Sequence, residues 1–225
     1  MTNLIQRFEA NTAGRDFVVG DIHGHFAALG EALSQLDFNP HTDRLFSVGD
    51  LVDRGPDSAE ALTWLAKPWF HAVRGNHEEM AIGFYRDLIP TDRYLASGGA
   101  WFVAMTRAER QPFADAFDAL PYAIEIQTPK GTVGVVHAEC PFVSWTDIEP
   151  ALNSEHSASF KTMMTWNRDR YESAETRDVQ GIYAVFVGHT PVKEPVSLGN
   201  VFYIDTGAYL ASGALTIVDL ATLES

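Results

Sequence analysis

The stretch Ser47-Val48-Gly49-Asp50-Leu51-Val52-Asp53-Arg54-Gly55-Pro56 constrains this chain more than any other. The apolar run before it, Leu45 to Val48, reads as a buried strand, and Ser58 to Ala66 after it reads as a helix. A strand that ends in Gly-Asp and opens into a loop presents its carboxylate at the C-terminal edge of a sheet, where open α/β sheets bind ligands. Three residues later comes a second carboxylate, then an arginine, then Gly-Pro to turn the chain. An apolar core has no use for two acids and an arginine at that place. A metal site that handles an anion does.

The same pattern occurs on either side. Residues 15–19 are a strand that exits through Gly20-Asp21-Ile22-His23-Gly24, followed by a helix over 25–36 with apolar Phe26, Leu29, Leu33 and Leu36 at helical spacing. Residues 70–73 are a strand that exits through Arg74-Gly75-Asn76-His77-Glu78, with a helix from 78 to 86. Strands alternating with helices imply a mainly parallel, crossover-connected sheet. Residues 1–14 look like a polar lead-in, and residues 111–120 like a helix stopped by Pro121. Residues 122–127 and 132–137 form a hairpin around Pro129-Lys130-Gly131, residues 158–169 a helix, and 183–187, 201–204 and 215–219 strands. The expected fold is α/β (α+β), a central β-sandwich flanked by helices, in one domain over 1–225 with its motifs between 15 and 219.

Five of these strands end in a side chain able to hold a metal: Asp21 with His23, Asp50, Asn76, His137 and His189. One such histidine is ordinarily a packed or capped residue, and one Gly-Asp is ordinarily a turn. Their joint occurrence carries the inference. Oxygen and imidazole donors without thiolates suit borderline or hard divalent ions. His25, His41, His71 and His156 lie outside the pattern and take no role. Trp64, Trp69 and Trp101 are expected in the core, Asp205-Thr206-Gly207 as a turn, and Glu78 and Glu79 as acids at a helix start.

Composition narrows the partners. The chain has 225 residues, 46% of them hydrophobic, and a formal net charge of −14 from 16 basic and 30 acidic residues. Phosphate backbones and anionic membranes need a basic surface, so neither nucleic acid nor membrane is an expected partner. The single cysteine, Cys140, excludes an internal disulfide, and no run is long enough to span a bilayer. A cytoplasmic, soluble protein is expected. Oligomeric state is left open.

Gly20–Gly24, Gly49–Gly55 and Arg74–Glu78 resemble the three signature blocks of the phosphoprotein phosphatase family, the Ser/Thr phosphatases among calcineurin-like dinuclear metallophosphoesterases. His137-Ala138 and Gly188-His189-Thr190-Pro191 resemble its two later histidine blocks, and the likeness is to the small bacterial and phage branch. The resemblance implies two divalent ions, manganese expected, with iron, zinc and magnesium compatible with the same donors. Asp21, His23 and Asp50 would hold the first, and Asp50, Asn76, His137 and His189 the second, Asp50 bridging. It implies direct in-line attack by a water activated between the ions. His77 would protonate the leaving group with Asp53 on its other nitrogen, and Arg54, Arg74 and Arg168 would hold the phosphate, Arg168 being preferred to Arg170. The expected substrate is a phosphoprotein carrying phosphoserine or phosphothreonine, with phosphotyrosine or phosphohistidine also admissible. A diadenosine-polyphosphate hydrolase and a degenerate phosphate-binding module are the alternatives.

Overall fold

A computed structural model describes residues 4–224. In chain order the strands are β1 (Ile5–Phe8), β2 (Asp16–Val19), β3 (Arg44–Ser47), β4 (Phe70–Ala72), β5 (Ala123–Thr128), β6 (Gly131–Val135), β7 (Ala184–Val187), β8 (Val196–Leu198), β9 (Val201–Tyr203) and β10 (Ile217–Asp219). The helices are α1 (Phe26–Gln35), α2 (Ala61–Leu65), α3 (Asn76–Tyr85), α4 (Thr91–Ala96), α5 (Ala100–Val103), α6 (Arg107–Asp118), α7 (Ile148–Leu152), α8 (Ser157–Trp166) and α9 (Asp169–Glu172).

Two sheets form. One has the order β10-β2-β3-β4 and the other β1-β5-β6-β7-β9-β8. The pairs β2–β3, β3–β4, β1–β5, β6–β7 and β7–β9 are parallel, and β10–β2, β5–β6 and β8–β9 antiparallel. Because side chains alternate along a strand, each sheet has two apolar faces to cover. Val18 and Phe46 of the first sheet meet Ile124, Ile126, Val133, Val135 and Phe186 of the second in a shared inner core. Phe17, Val19 and Leu45 point the other way, onto α1, α3 and α6 through Phe26, Leu29, Met80, Phe113 and Phe117. Val185, Val187 and Tyr203 leave the second sheet on its far face to pack on Ile148, Leu152 and Met164. The result is a β-sandwich with helices on both outer faces. Among the described residues no helix is long and apolar enough to cross a membrane.

Two expectations need correction. The lead-in contains β1, an edge strand parallel to β5 with Ile5 buried and Arg7 exposed; residues 1–3 lie outside the described residues. Helix α6 begins at Arg107, not Gln111, because Thr106 caps it: the Thr106 hydroxyl accepts from Glu109 N–H while Glu109 accepts from Thr106 N–H. Pro112 then sits inside the helix on its exposed side and masks that start in the sequence.

Candidate metal centre

The C-terminal ends of β2, β3, β4, β6 and β7 come together, and with them every residue expected to ligate. Asp50 lies at the centre. Its carboxylate is 3.6 Å from His23 Nε2, 3.8 Å from His77 Nε2 and 3.4 Å from His137 Nε2. Asp21 Oδ2 is 3.9 Å from His23 Nε2. His137 Nε2 and His189 Nδ1 each lie 2.8 Å from Asn76 Oδ1. Two donor groups overlap at Asp50: His23, Asp50 and His77 on one side, Asp50, His137 and His189 on the other.

The backbone is bent to achieve this. Among the described residues nine non-glycine residues have positive φ, and five of them are His23, Asp50, Asp53, Arg54 and His189. Such left-handed conformations cost free energy at each residue and persist only where the surroundings impose them. His23 turns into the left-handed region at φ 45°, and this turn sets its Nε2 3.6 Å from Asp50 Oδ2. Gly188 is required because a Cβ there would lie 1.9 Å from Asp21 Oδ1.

Each imidazole is held by a backbone carbonyl on one nitrogen, so the other nitrogen turns a lone pair inward. His23 Nδ1 donates to Val52 O at 3.0 Å, His137 Nδ1 to Val48 O at 2.7 Å, and His189 Nε2 to Trp166 O at 3.1 Å. Carbonyls of this kind fix the tautomer and ring direction of metal-binding histidines. Burial pushes His23 and His189 down to about 3 and lowers His137, so all three stay neutral, as ligands must. Burial and the charges of Asp205 and Asp50 raise Asp21 well above the ordinary carboxylate range. Two buried carboxylates, an amide oxygen and three inward lone pairs with few protons between them are an arrangement that divalent cations satisfy, so the donor set fits a two-ion centre.

His77 Nδ1 donates to Asp53 Oδ2 at 2.7 Å. Burial lowers the affinity of His77 for its proton, yet the Asp50 charge and the Asp53 hydrogen bond outweigh it and raise the value. Asp53 itself is fully buried, and its Oδ1 accepts from Trp101 Nε1 at 2.7 Å and Tyr94 Oη at 3.0 Å. Trp101 is therefore a site partner as well as a core residue, and Tyr94 was not foreseen. Glu78 does more than favour a helix dipole. Its Oε2 accepts from Asp50 N at 3.0 Å and Gly75 N at 2.8 Å, and its Oε1 from Leu51 N at 2.8 Å, tying the Asp50 loop to the start of α3. Burial and Asp50 raise its carboxyl to about 8. Asp205 makes the expected turn bond to Gly207 N, but it is also buried beside Asp21, and burial raises it to about 6.

A cavity of about 150 Å³ opens over Asp50, Asn76, His77 and His189, with Arg54, Arg168 and Tyr209 among its walls. Arg54 donates to His23 Nε2 at 2.7 Å and to His77 Nε2 at 3.0 Å. Arg168 donates to His189 O at 3.0 Å, while Arg170 bonds to the carbonyls of Arg177 and Leu198 away from this cavity. Arg74 departs from expectation. Its guanidinium turns from the cavity to Glu79 and Tyr122, each at 3.1 Å, and lies 3.2 Å from Asp118. The cause is backbone placement: Arg74 N bonds Pro121 O, which sets the side chain against a segment that offers the Asp118 carboxylate and the carbonyls of Asp118 and Leu120, with Glu79 of α3 beside it.

The family model described as calcineurin-like phosphoesterase matches residues 17–213. Serine/threonine-protein phosphatase 1 of Salmonella typhimurium is 36% identical over 223 residues, 95% of each chain. A symmetrical bis(5'-nucleosyl)-tetraphosphatase of Erwinia tasmaniensis is 42% identical over 71 residues, covering 31% of this chain and 26% of that one. A solved cold-active protein-tyrosine phosphatase of a psychrophilic Shewanella superposes with a TM-score of 0.64 at 15% identity, over 96% of this chain and 77% of that one. That last likeness is one of fold.

Proposed function

The chain belongs to the calcineurin-like phosphoesterase family, and from that premise we propose that it is a protein phosphatase that removes phosphate from phosphoserine and phosphothreonine. The observation that carries the reading is His77, backed by Asp53, facing the same cavity as Asp50 and Arg54. When bound, two divalent ions, manganese by preference, supply the Lewis acidity that activates water and draws charge from a phosphate. Asp21, His23 and Asp50 would hold one and Asp50, Asn76, His137 and His189 the other.

The protein's own residues do the rest. Arg54 and Arg168 bind phosphate oxygens, since a guanidinium fork matches two of them. Arg54 exchanges its contact with His77 for the substrate and leaves His77 Nε2 free to carry a proton. Asp53 holds Nδ1–H and stabilises the charged ring, and Nε2–H passes its proton to the departing serine or threonine oxygen. The full-length match to a serine/threonine-protein phosphatase supports this reading over a dinucleotide hydrolase, whose match covers 31% of the chain. Manganese-dependent release of phosphate from a phosphothreonine peptide is the expected result. Faster formation of nucleotides from a dinucleotide tetraphosphate would favour the other reading, and neither activity would leave only phosphate binding.

A further inference from the structure

We propose that Tyr209 is a positioning residue for phosphate capture, an aromatic platform that holds the Arg54 guanidinium at the mouth of the site. The proposal rests on Arg54 being a phosphate-binding residue.

Tyr209 lies on the loop between β9 and β10. Arg54 Cζ sits 4.1 Å from the centre of its ring, within the range of a strong cation–π contact. The same ring meets His23 in a T-shaped contact, with ring centres 4.9 Å apart at 85°. Arg54 needs such support. Its backbone is in the left-handed region at φ 70°, and its N–H makes only a long bond of 3.3 Å to Gly98 O. An unsupported arginine loses considerable rotamer freedom when it closes on a phosphate. A ring beneath the guanidinium removes that freedom beforehand and leaves the fork's edge, which contacts His23 Nε2 and His77 Nε2 in this structure, able to turn to a phosphate.

The loop is built to hold the ring in place. At its base Thr206 Oγ1 donates to Ala214 O at 2.7 Å and lies 2.8 Å from Thr216 Oγ1, while Ala214 N donates to Thr206 O at 3.2 Å. Above this stem two successive turns, Leu210 N to Gly207 O at 2.7 Å and Gly213 N to Leu210 O at 3.0 Å, close the tip. Gly213 packs so tightly on Gly207 that a Cβ there would lie 1.7 Å from the Gly207 oxygen. The stem, not the cavity contents, fixes Tyr209 against Arg54.

The test uses manganese-loaded full-length protein, p-nitrophenyl phosphate as substrate and inorganic phosphate as inhibitor. Tyr209→Ala is expected to raise KM and the phosphate inhibition constant about fivefold, the scale of a partly exposed cation–π contact, with kcat changed less than about twofold. Tyr209→Phe retains the ring and should match the parent. In an Arg54→Ala background, Tyr209→Ala should add nothing. Unchanged constants in Tyr209→Ala, an equal effect without Arg54, or loss of bound manganese would overturn the proposal, the last by assigning the ring to His23. If Arg54→Ala itself leaves phosphate inhibition unchanged, the failure lies with the clamp reading and not with the platform alone. Melting curves of each variant exclude misfolding as the cause.

Discussion

Replacing Asp53 with Asn tests the proton-donating pair with almost no change of shape. In the parent, one carboxylate oxygen takes the His77 proton at 2.7 Å and the other takes the protons of Trp101 and Tyr94 at 2.7 and 3.0 Å. Asn has one acceptor and one donor end. If the amide nitrogen faced Trp101 and Tyr94, two donors would be opposed; if it faces His77, only one is. The second orientation wins, and His77 Nδ1 then becomes an acceptor. The ring is left in the wrong tautomer, and its charged form loses the carboxylate. A hydrogen bond to a charged group contributes ~1.5–3 kcal/mol, and at about 1.4 kcal/mol per decade this gives a fall in kcat of about 10- to 150-fold. KM and bound metal should stay near the parent values, because Asp53 touches neither the cavity's arginines nor the ligand atoms. The assay is steady-state phosphate release from a phosphothreonine peptide at saturating manganese, with metal content measured on the same sample. A kcat within about threefold of the parent, or loss of metal that accounts for the drop, would refute the reasoning.

Three residues outside that pair carry further predictions. Arg54→Ala should raise the phosphate inhibition constant at least about tenfold, the value of a charge-assisted hydrogen bond. Arg74→Ala should instead change it less than about threefold and lower stability by ~1–3 kcal/mol, discounted because Glu79 and Asp118 are partly exposed; chemical denaturation and inhibition kinetics on both variants check this. His71 packs on Phe8 and Phe46, and burial with the nearby Arg44 charge lowers it to about 4 from an ordinary 6.5. The unfolded chain therefore binds the proton more readily, and stability falls as pH drops from about 6.5 through about 4. His71→Phe removes that slope, so urea melts of parent and variant should diverge by ~3 kcal/mol between pH 7 and 4; parallel curves would contradict it.

Much of the candidate centre was legible because the side chains able to ligate follow strands. Asp21, Asp50, Asn76, His137 and His189 each stand just past a short apolar run; parallel pairing gathers such exits at one edge of each sheet, and the packing of the two sheets brings those edges together. What the sequence hid is what long-range packing decides. Tyr94 and Trp101 reach Asp53 from helices α4 and α5, more than 40 residues away, and nothing local marks them as donors. Glu78 reads as a helix-start acid because that is also true of it; its bonds to Asp50 and Leu51 depend on where another loop lies. Arg74 belongs to the right block, but the backbone bond to Pro121 directs it elsewhere. Strand β1 escaped notice because its partner β5 is over 100 residues distant.

The central claim is that one aspartate stands between two cations. A crystal of the protein grown with manganese, measured at a wavelength where manganese scatters anomalously, tests it directly. Two anomalous peaks on either side of the Asp50 carboxylate, about 3.5–4 Å apart, are predicted. A single peak, or peaks remote from Asp50, would contradict the account.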